Sequence, residues 1–288
     1  MDDTFAKTHF LTAAQRNTLN KLIGYIVLTV LGIAFFLPFA WMLSTALKAE
    51  GYVFAFPPQW IPNPVQWSNF VECMRVVPFG HYLLNTALIT GISLVGMLVS
   101  STLVAYSFAK LRWPGRDIMF VILLSTMMLP GQVTMIPIYI MFNRMGWVDT
   151  WLPLTVPAFF GSPFFIFLLR QFFMSIPTEL MEAAKIDGCS NFRIYSNIMV
   201  PLAKPAIATV AILHFLWTWN DFMSPLLYIN SPEKYTVSLG LQAFQTQYTT
   251  NYRLMMAASL IALAPCLLLF FFGQKYFVQG VIMTGIKG

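Results

Sequence analysis

The chain has 288 residues, 58% of them apolar and only 10% charged, with a net charge of +6. Soluble domains carry about 25% charged residues, so a chain this poor in charge and holding 27 Phe is not an ordinary water-soluble enzyme. Its basic residues are dispersed over separate loops rather than gathered on one face, which argues against nucleic-acid binding.

Residues 1–20 read as a polar tail, followed by a first span at about 22–47 with no charge from Leu22 to Leu47. That run is too long for the apolar core of a cleavable signal and lacks a small-x-small site, so it is expected to stay. Residues 48–80 hold Phe56-Pro57-Pro58-Gln59-Trp60-Ile61-Pro62-Asn63-Pro64, a composition suited to a rigid loop at headgroup level. A second span at about 82–109 ends in the basic turn Lys110-Leu111-Arg112-Trp113-Pro114-Gly115-Arg116. Uncharged runs then predict spans at about 117–142 and 150–172. A polar stretch precedes a fifth span at about 205–229, interrupted only by Asp221. A polar loop from Asn230 to Tyr252 leads to a sixth span at about 254–277 and a tail at 281–288. Crossing the hydrocarbon takes about 20 residues of helix, and these runs are too long and too little alternating for barrel strands. The prediction is an all-α polytopic membrane protein, with residues 21–280 forming one six-helix domain and no soluble domain.

Orientation follows from Lys and Arg. With both termini cytoplasmic, Lys7, Arg16, Lys21, Lys110, Arg112, Arg116, Arg170, Lys185, Arg193, Lys204, Lys275 and Lys287 fall inside. Only Lys48, Arg75, Arg144, Lys234 and Arg253 fall outside. This assignment puts Cys73 on the outer face and within reach of an external reagent, Cys189 in the cytoplasm and Cys266 in the bilayer, so no internal disulfide is expected. Prolines inside the spans (Pro38, Pro130, Pro137, Pro157, Pro163, Pro225, Pro265) read as packing kinks; Pro130 and Pro137, near Gln132, also suit a broken helix lining a transport path.

The polar stretch between the fourth and fifth spans carries the most specific pattern. Glu182-Ala183-Ala184 is followed after three residues by Gly188, and after nine more by Ile198-Met199-Val200-Pro201. Pro177 suits a first helical turn, and Glu179 and Glu182 meet the positive end of the helix dipole. Ala183, Ala184 and Gly188 keep one surface shallow, and Gly188 fits a helix C-cap. Ser190 can cap a second short helix, expected to stop before Pro201. The physics alone leaves two readings, an amphipathic hairpin lying on the membrane or a docking surface for another protein.

The full spacing resembles the EAA loop of bacterial ABC importer membrane subunits, with Val-Pro where the family has Leu-Pro. Trp217-Thr218-Trp219-Asn220-Asp221-Phe222, Ile229-Asn230-Ser231-Pro232-Glu233-Lys234-Tyr235-Thr236 and the ending Phe277-Val278-Gln279-Gly280 with Gly285-Ile286-Lys287-Gly288 extend the resemblance over nearly the whole chain. They are similar to carbohydrate importer permeases, in particular the second membrane subunit of maltose-type systems. The resemblance implies a partner set: a second, different permease, two ATPase subunits, an external solute-binding protein and a carbohydrate cargo within membrane lipid. It implies that Glu182, Ala183, Ala184, Asp187, Gly188, Ile198 and Pro201 couple to an ATPase, with Glu182 holding the helix in an ATPase cleft. It further implies that residues 231–252, with Glu233, Lys234, Gln242 and Gln245, meet the binding protein, and that residues 280–288 lie against the ATPases.

No phosphate-cradling Gly-x-x-x-x-Gly-Lys-Ser/Thr sequence is present, so ATP is expected on partner subunits and the chain itself needs no cofactor. His214 and Asp221 are seven residues apart, about 10 Å along a helix, too far for a catalytic dyad. No His-Glu-x-x-His motif or cysteine cluster suggests a metal site. Asp221 with Trp217, Trp219 and Asn220 combines ring faces with directional polar groups, as sugar binding requires, and Gln132 is a further candidate for the path. A hydrated Asp221 at the outer interface within an aromatic belt is the alternative. The expectation is a permease subunit of an oligosaccharide or polyol importer, without catalytic residues. A permease for another solute class, such as glycerol phosphates or peptides, shares the same loop. An ion-coupled carrier would need inverted repeats and paired intramembrane charges, which the sequence lacks.

Overall fold

Helices account for all the regular structure in the computed structural model, which describes residues 13–245 and 250–285. The expected tails at 1–12 and 286–288 therefore lie outside the described residues. In chain order the helices are α1 (Ala13–Ala46), α2 (Ser68–Val76), α3 (Phe79–Lys110), α4 (Arg116–Thr126) and α5 (Gly131–Arg144). Next come α6 (Leu152–Thr155), a 3-10 turn at Val156–Phe160, α7 (Pro163–Ser175), α8 (Glu179–Ile186) and α9 (Asn191–Ile194). A π-turn at Tyr195–Met199 leads into α10 (Val200–Leu202), α11 (Lys204–Trp219), α12 (Met223–Tyr228), α13 (Val237–Gln242) and α14 (Tyr252–Gly285).

Four segments are long and apolar enough to cross a bilayer: Arg16–Ala46, Phe79–Lys110, Leu152–Ser175, which passes through the 3-10 turn and the non-helical residues 161–162, and Tyr252–Gln274. Two more are bent: α4 with α5 by 95°, and the Asn191–Leu202 segment with α11 by 77°. The third expected span, 117–142, is thus broken at Pro130, where the extended backbone (ψ 131) cannot continue a helix. The fifth, 205–229, is also interrupted, because α11 ends at Trp219 and α12 begins only at Met223. Pro38, Pro137 and Pro265 do sit inside continuous helices.

A buried polar stripe runs along α3, with Asn85, Thr86, Thr90, Ser93, Ser101 and Thr102 all on its covered face. Without water, several hydroxyls of α3 turn to nearby carbonyls: Thr86 donates to Tyr82 (2.9 Å), Ser100 to Gly96 (2.8 Å) and Thr102 to Leu98 (2.6 Å). Small residues on the same helix admit close neighbours, since a Cβ on Gly96 would lie about 2.5 Å from the Phe159 ring.

Two apolar cores result. One gathers the Met97–Phe108 half of α3 with α7, α11 and the loop helices through Phe165, Leu169, Met181, Ile194 and Val210. The other, at the opposite end, joins the start of α3 (Phe79, Tyr82) to α2, α13 and α14 through Cys73, Val237, Leu254 and Ala258. Cys73 is therefore fully buried, its thiol donating to the Phe70 carbonyl at 3.2 Å, which corrects the expectation of a reachable outer thiol. The amphipathic α2 turns it inward.

Candidate functional site

The most protruding chemistry lies at the end of the bundle where α7 gives way to α8. Glu179 and Glu182 occupy the first turn of α8, at the positive end of its dipole. The helix stops in a left-handed cap: Gly188 has φ 78, its N–H donates to Lys185 O (3.0 Å), and Cys189 N–H donates to Ala184 O (2.9 Å). Ser190 Oγ then accepts the Arg193 N–H at 3.3 Å and starts α9. The second helix does not stop before Pro201 as expected; it continues to Leu202. The π-turn at Tyr195–Met199 widens the coil just ahead of the proline, easing the ring against the preceding carbonyls.

One face of this helical pair is anchored and the other is open. Met181, Ala184, Ile194 and Met199 are buried in the core shared with α3, α7 and α11. Polar ties add to them: Tyr106 Oη donates to Asn191 O (3.3 Å), Thr102 Oγ1 and Tyr195 Oη meet at 2.7 Å, and Lys110 Nζ donates to Ile176 O (2.6 Å). Glu182, Ala183, Asp187, Gly188 and Pro201 are exposed. Ala184 and Ile198 face the chain's own bundle, so they support the surface rather than form it, which corrects the shallow-surface role given to Ala184. Sequence reasoning missed Ile186 and Phe192, which are 87% and 70% exposed on either side of Gly188. Their signal was present: apolar side chains off the Met181–Ala184 face, in a segment otherwise polar. Two large apolar groups held out beside a left-handed glycine form a surface that a partner would cover.

At the opposite end, Asp149 (φ 62) organises the segment before α13. Its carboxylate accepts the Asn230 and Ser231 amides (3.0 and 2.8 Å), the Ser231 hydroxyl (2.5 Å) and Lys234 Nζ (2.9 Å). The Ser231 hydroxyl and amide, then Lys234, hold this carboxyl well below the ordinary carboxylate range. Asn85 fixes the same segment from α3, donating to Glu233 O and Tyr235 O at 2.9 Å each. Of the candidate binding-protein contacts, Lys234 is thus engaged internally, while Glu233, Gln242 and Gln245 are exposed. Nearby, Arg253 bridges Glu72 (2.7 Å), Glu50 (3.2 Å) and Asn69 (2.6 Å), tying α14 to α2 and to the turn that follows α1.

The proposed path residues do not converge. Trp219 is buried and donates its indole N–H to Ala262 O (3.0 Å) in α14, one residue after Ile261, whose carbonyl Pro265 leaves without a helical donor. Trp217 points elsewhere, its ring tilted against those of Phe165 and Phe164 with centroids 5.0 and 5.5 Å away. Asn220 is exposed and donates to Leu216 O (2.8 Å); the half-buried Asp221 accepts the Ser224 amide (3.2 Å). Both lie beyond the end of α11, so Asp221 is a break residue rather than a mid-helix one. Gln132 is exposed in the first turn of α5. His214 meets Ser93 Oγ (3.1 Å) and Thr218 Oγ1 (3.4 Å), not Asp221. An aromatic cleft of about 550 Å³, lined by Phe142, Trp147, Phe160, Ser224 and Tyr228 among others, adjoins this break and was not anticipated. Among the described residues no group of three or more His, Cys, Asp or Glu could hold a metal.

A family profile described as "Binding-protein-dependent transport system inner membrane component" matches residues 98–283. The arabinooligosaccharides transport system permease protein AraQ of Halalkalibacterium halodurans is 32% identical, covering 85% of this chain and 86% of that protein. The melibiose/raffinose/stachyose import permease protein MelC of Bacillus subtilis is also 32% identical, covering 90% and 94%. The fold matches a chain from the crystal structure of a bacterial ABC transporter that imports the acidic polysaccharide alginate, with TM-score 0.82 and 22% identity over 94% of this chain and 100% of that one.

Proposed function

The chain belongs to the inner membrane component family of binding-protein-dependent transport systems, and on that premise we propose that it forms one half of an oligosaccharide importer's pore. It is an ABC importer permease, a family that works with a separate ATPase and a solute-binding protein. The reading adds a second, different permease, two ATPase subunits that hold the ATP, and both termini in the cytoplasm. The Lys and Arg asymmetry supports that orientation. The oligosaccharide cargo rests on what the names of AraQ and MelC say those proteins carry.

One observation carries the mechanism: α8 and α9 present Glu182, Ile186, Gly188 and Phe192 outward while Met181, Ala184 and Ile194 lock them into the bundle core. Closure of the ATPase dimer on ATP pushes this surface, and the core moves α3, α7 and α11 as a body, switching the cavity between its two openings. The test is reconstitution of the chain with its permease, ATPase and binding-protein partners in liposomes. Binding protein loaded with an oligosaccharide should stimulate ATP hydrolysis and drive uptake. Stimulation by a loaded peptide or glycerol phosphate instead would refute the cargo, and ATPase subunits that never associate would refute the coupling role.

A further inference from the structure

The turn between α3 and α4 is unused by the transport reading, yet it is built around uncompensated positive charge. A cleft of about 390 Å³ is lined there by Arg112, Trp113, Gly115, Arg116, Asp117 and Ile118. Gly115 (φ 85) bends the chain into α4, whose first α-type bond runs from Met119 N–H to Gly115 O at 2.9 Å. The amides of Asp117 and Ile118 therefore fall in the first turn, where helices leave donors unpaired. Trp113 is fixed, its indole N–H donating to Ser107 Oγ at 3.1 Å and its ring resting on Phe108. Arg116 is oriented by Leu111 O (3.3 Å) and by the exposed Asp117 (2.9 Å). Arg112 is exposed and makes no hydrogen bond or ion pair among the described residues.

Charge around the cleft is unbalanced. Lys110 is spent on the Ile176 carbonyl and feels Glu179, and Arg170 lies over the Phe120 ring, near enough to Arg116 for the two to repel. Among the described residues only Asp117 offsets the two arginines of the cleft itself, and its side chain is 75% exposed. Directly along α4 from this polar mouth runs an open apolar strip, with Ile118, Val121 and Ile122 each more than half exposed. A phosphate group would complete the mouth, and the strip continues in the direction an acyl chain would take.

We propose that this cleft is a binding site for an anionic phospholipid, its phosphate held by Arg112 and Arg116 and its acyl chain lying along α4. The site faces the leaflet at the α8–α9 end of the bundle and is independent of what cargo the importer carries. Guanidinium groups suit it because they meet phosphate oxygens in pairs. Trp113 places an amphipathic ring at headgroup depth.

The test uses the assembled importer, delipidated in detergent and titrated with phosphatidylglycerol or phosphatidylcholine, with bound lipid counted by native mass spectrometry. The complex should take up phosphatidylglycerol in preference to phosphatidylcholine. At about 1 kcal/mol per basic residue, Arg112→Gln should weaken one binding step about five-fold, and R112Q with R116Q about thirty-fold. Arg144→Gln, at the opposite end, should change nothing. Arg112 has no partner among the described residues, so its single substitution remains informative even where the double variant assembles poorly. Equal uptake of both lipids, or unchanged uptake by Arg112→Gln, overturns the proposal. Saturation of the site by soluble glycerol phosphate at the concentrations where the lipid binds also overturns it, since the occupant would then be a free phosphate compound.

Discussion

Lys234 closes onto Asp149 at 2.9 Å and also donates to its backbone carbonyl at 2.6 Å, linking residues 85 apart in sequence. The segment in which a binding-protein contact was expected is therefore partly a rigid strut. Asp149→Ala should release it, and the Asn230 and Ser231 amides should lose most of their hydrogen-exchange protection. Unchanged protection would show that Asn85 alone holds the segment.

Acid should have little effect on the same anchor. The carboxyl is held below its ordinary pKa of about 3.9, so its contribution is complete above that value and declines only as pH falls through the lower folded value. Protection of the Ser231 amide should be the same at pH 7 and pH 4.5, once corrected for intrinsic exchange. A midpoint at or above pH 4.5 would contradict the geometry.

Gly188 tests backbone against bulk. A Cβ there meets nothing within 4 Å, so the penalty for substitution comes from φ 78. Gly188→Ala should cost about 1–2 kcal/mol in the cap, and Gly188→Asn should cost less because Asn tolerates the left-handed region. The order Asn above Ala above Val should appear in ATPase co-purification. Equal recovery with all three would remove the cap from the coupling mechanism.

Ile186→Ser should leave the permease folded, because that side chain is 87% exposed, while removing about 2 kcal/mol of apolar burial at the partner surface. ATPase affinity should fall roughly thirty-fold, and Phe192→Ser should act in the same direction. Retained affinity in both variants would place the contact elsewhere on the loop.

Asp221→Leu and Asp221→Asn separate the path from the fold. Among the described residues the carboxylate accepts only the Ser224 amide, and Ser238 Oγ donates to the backbone carbonyl, so the Asn variant should assemble normally. Lost transport with intact assembly in the Leu variant supports a path role. Normal transport in that variant would make Asp221 an interface residue, as its position beyond α11 also permits.

Membrane orientation needs a different reporter from Cys73, whose side chain is buried. A cysteine at the exposed Gln242 should react with an impermeant thiol reagent from outside the cell. Reaction only after the cytoplasmic face is opened would reverse the assignment.

Hydropathy located the apolar runs because hydrocarbon demands long uncharged helices. The cap chemistry of Gly188 and Ser190 was legible because it is local. The sequence offered both Pro130 and Pro137 as sites for a broken helix, and only Pro130 is one; the interruption after Trp219 was not legible, since proline inside a membrane helix is compatible with a continuous helix, as at Pro38, or with a break. The inward turn of Cys73 and the engagement of Lys234 depend on contacts with α14 and Asp149, which no local pattern encodes. The outward-facing Ile186 could have been found by sorting the loop's apolar residues onto two faces.

The division of the interior into two cores has a mechanical consequence. Helix α3 enters one core at Phe79–Tyr82 and the other from Met97 onward, so it acts as a shaft clamped at both ends. Between the clamps lie about 22 Å of helix whose covered side is mostly polar, with Asn85, Thr86, Thr90 and Ser93 buried beside Ile89. Side chains of that kind can exchange one carbonyl for the next at little cost, so torsion applied at the α8–α9 end would collect around Thr90 and Ser93. Stiffness there, rather than strength at either clamp, would set how far a push on Ile186 travels.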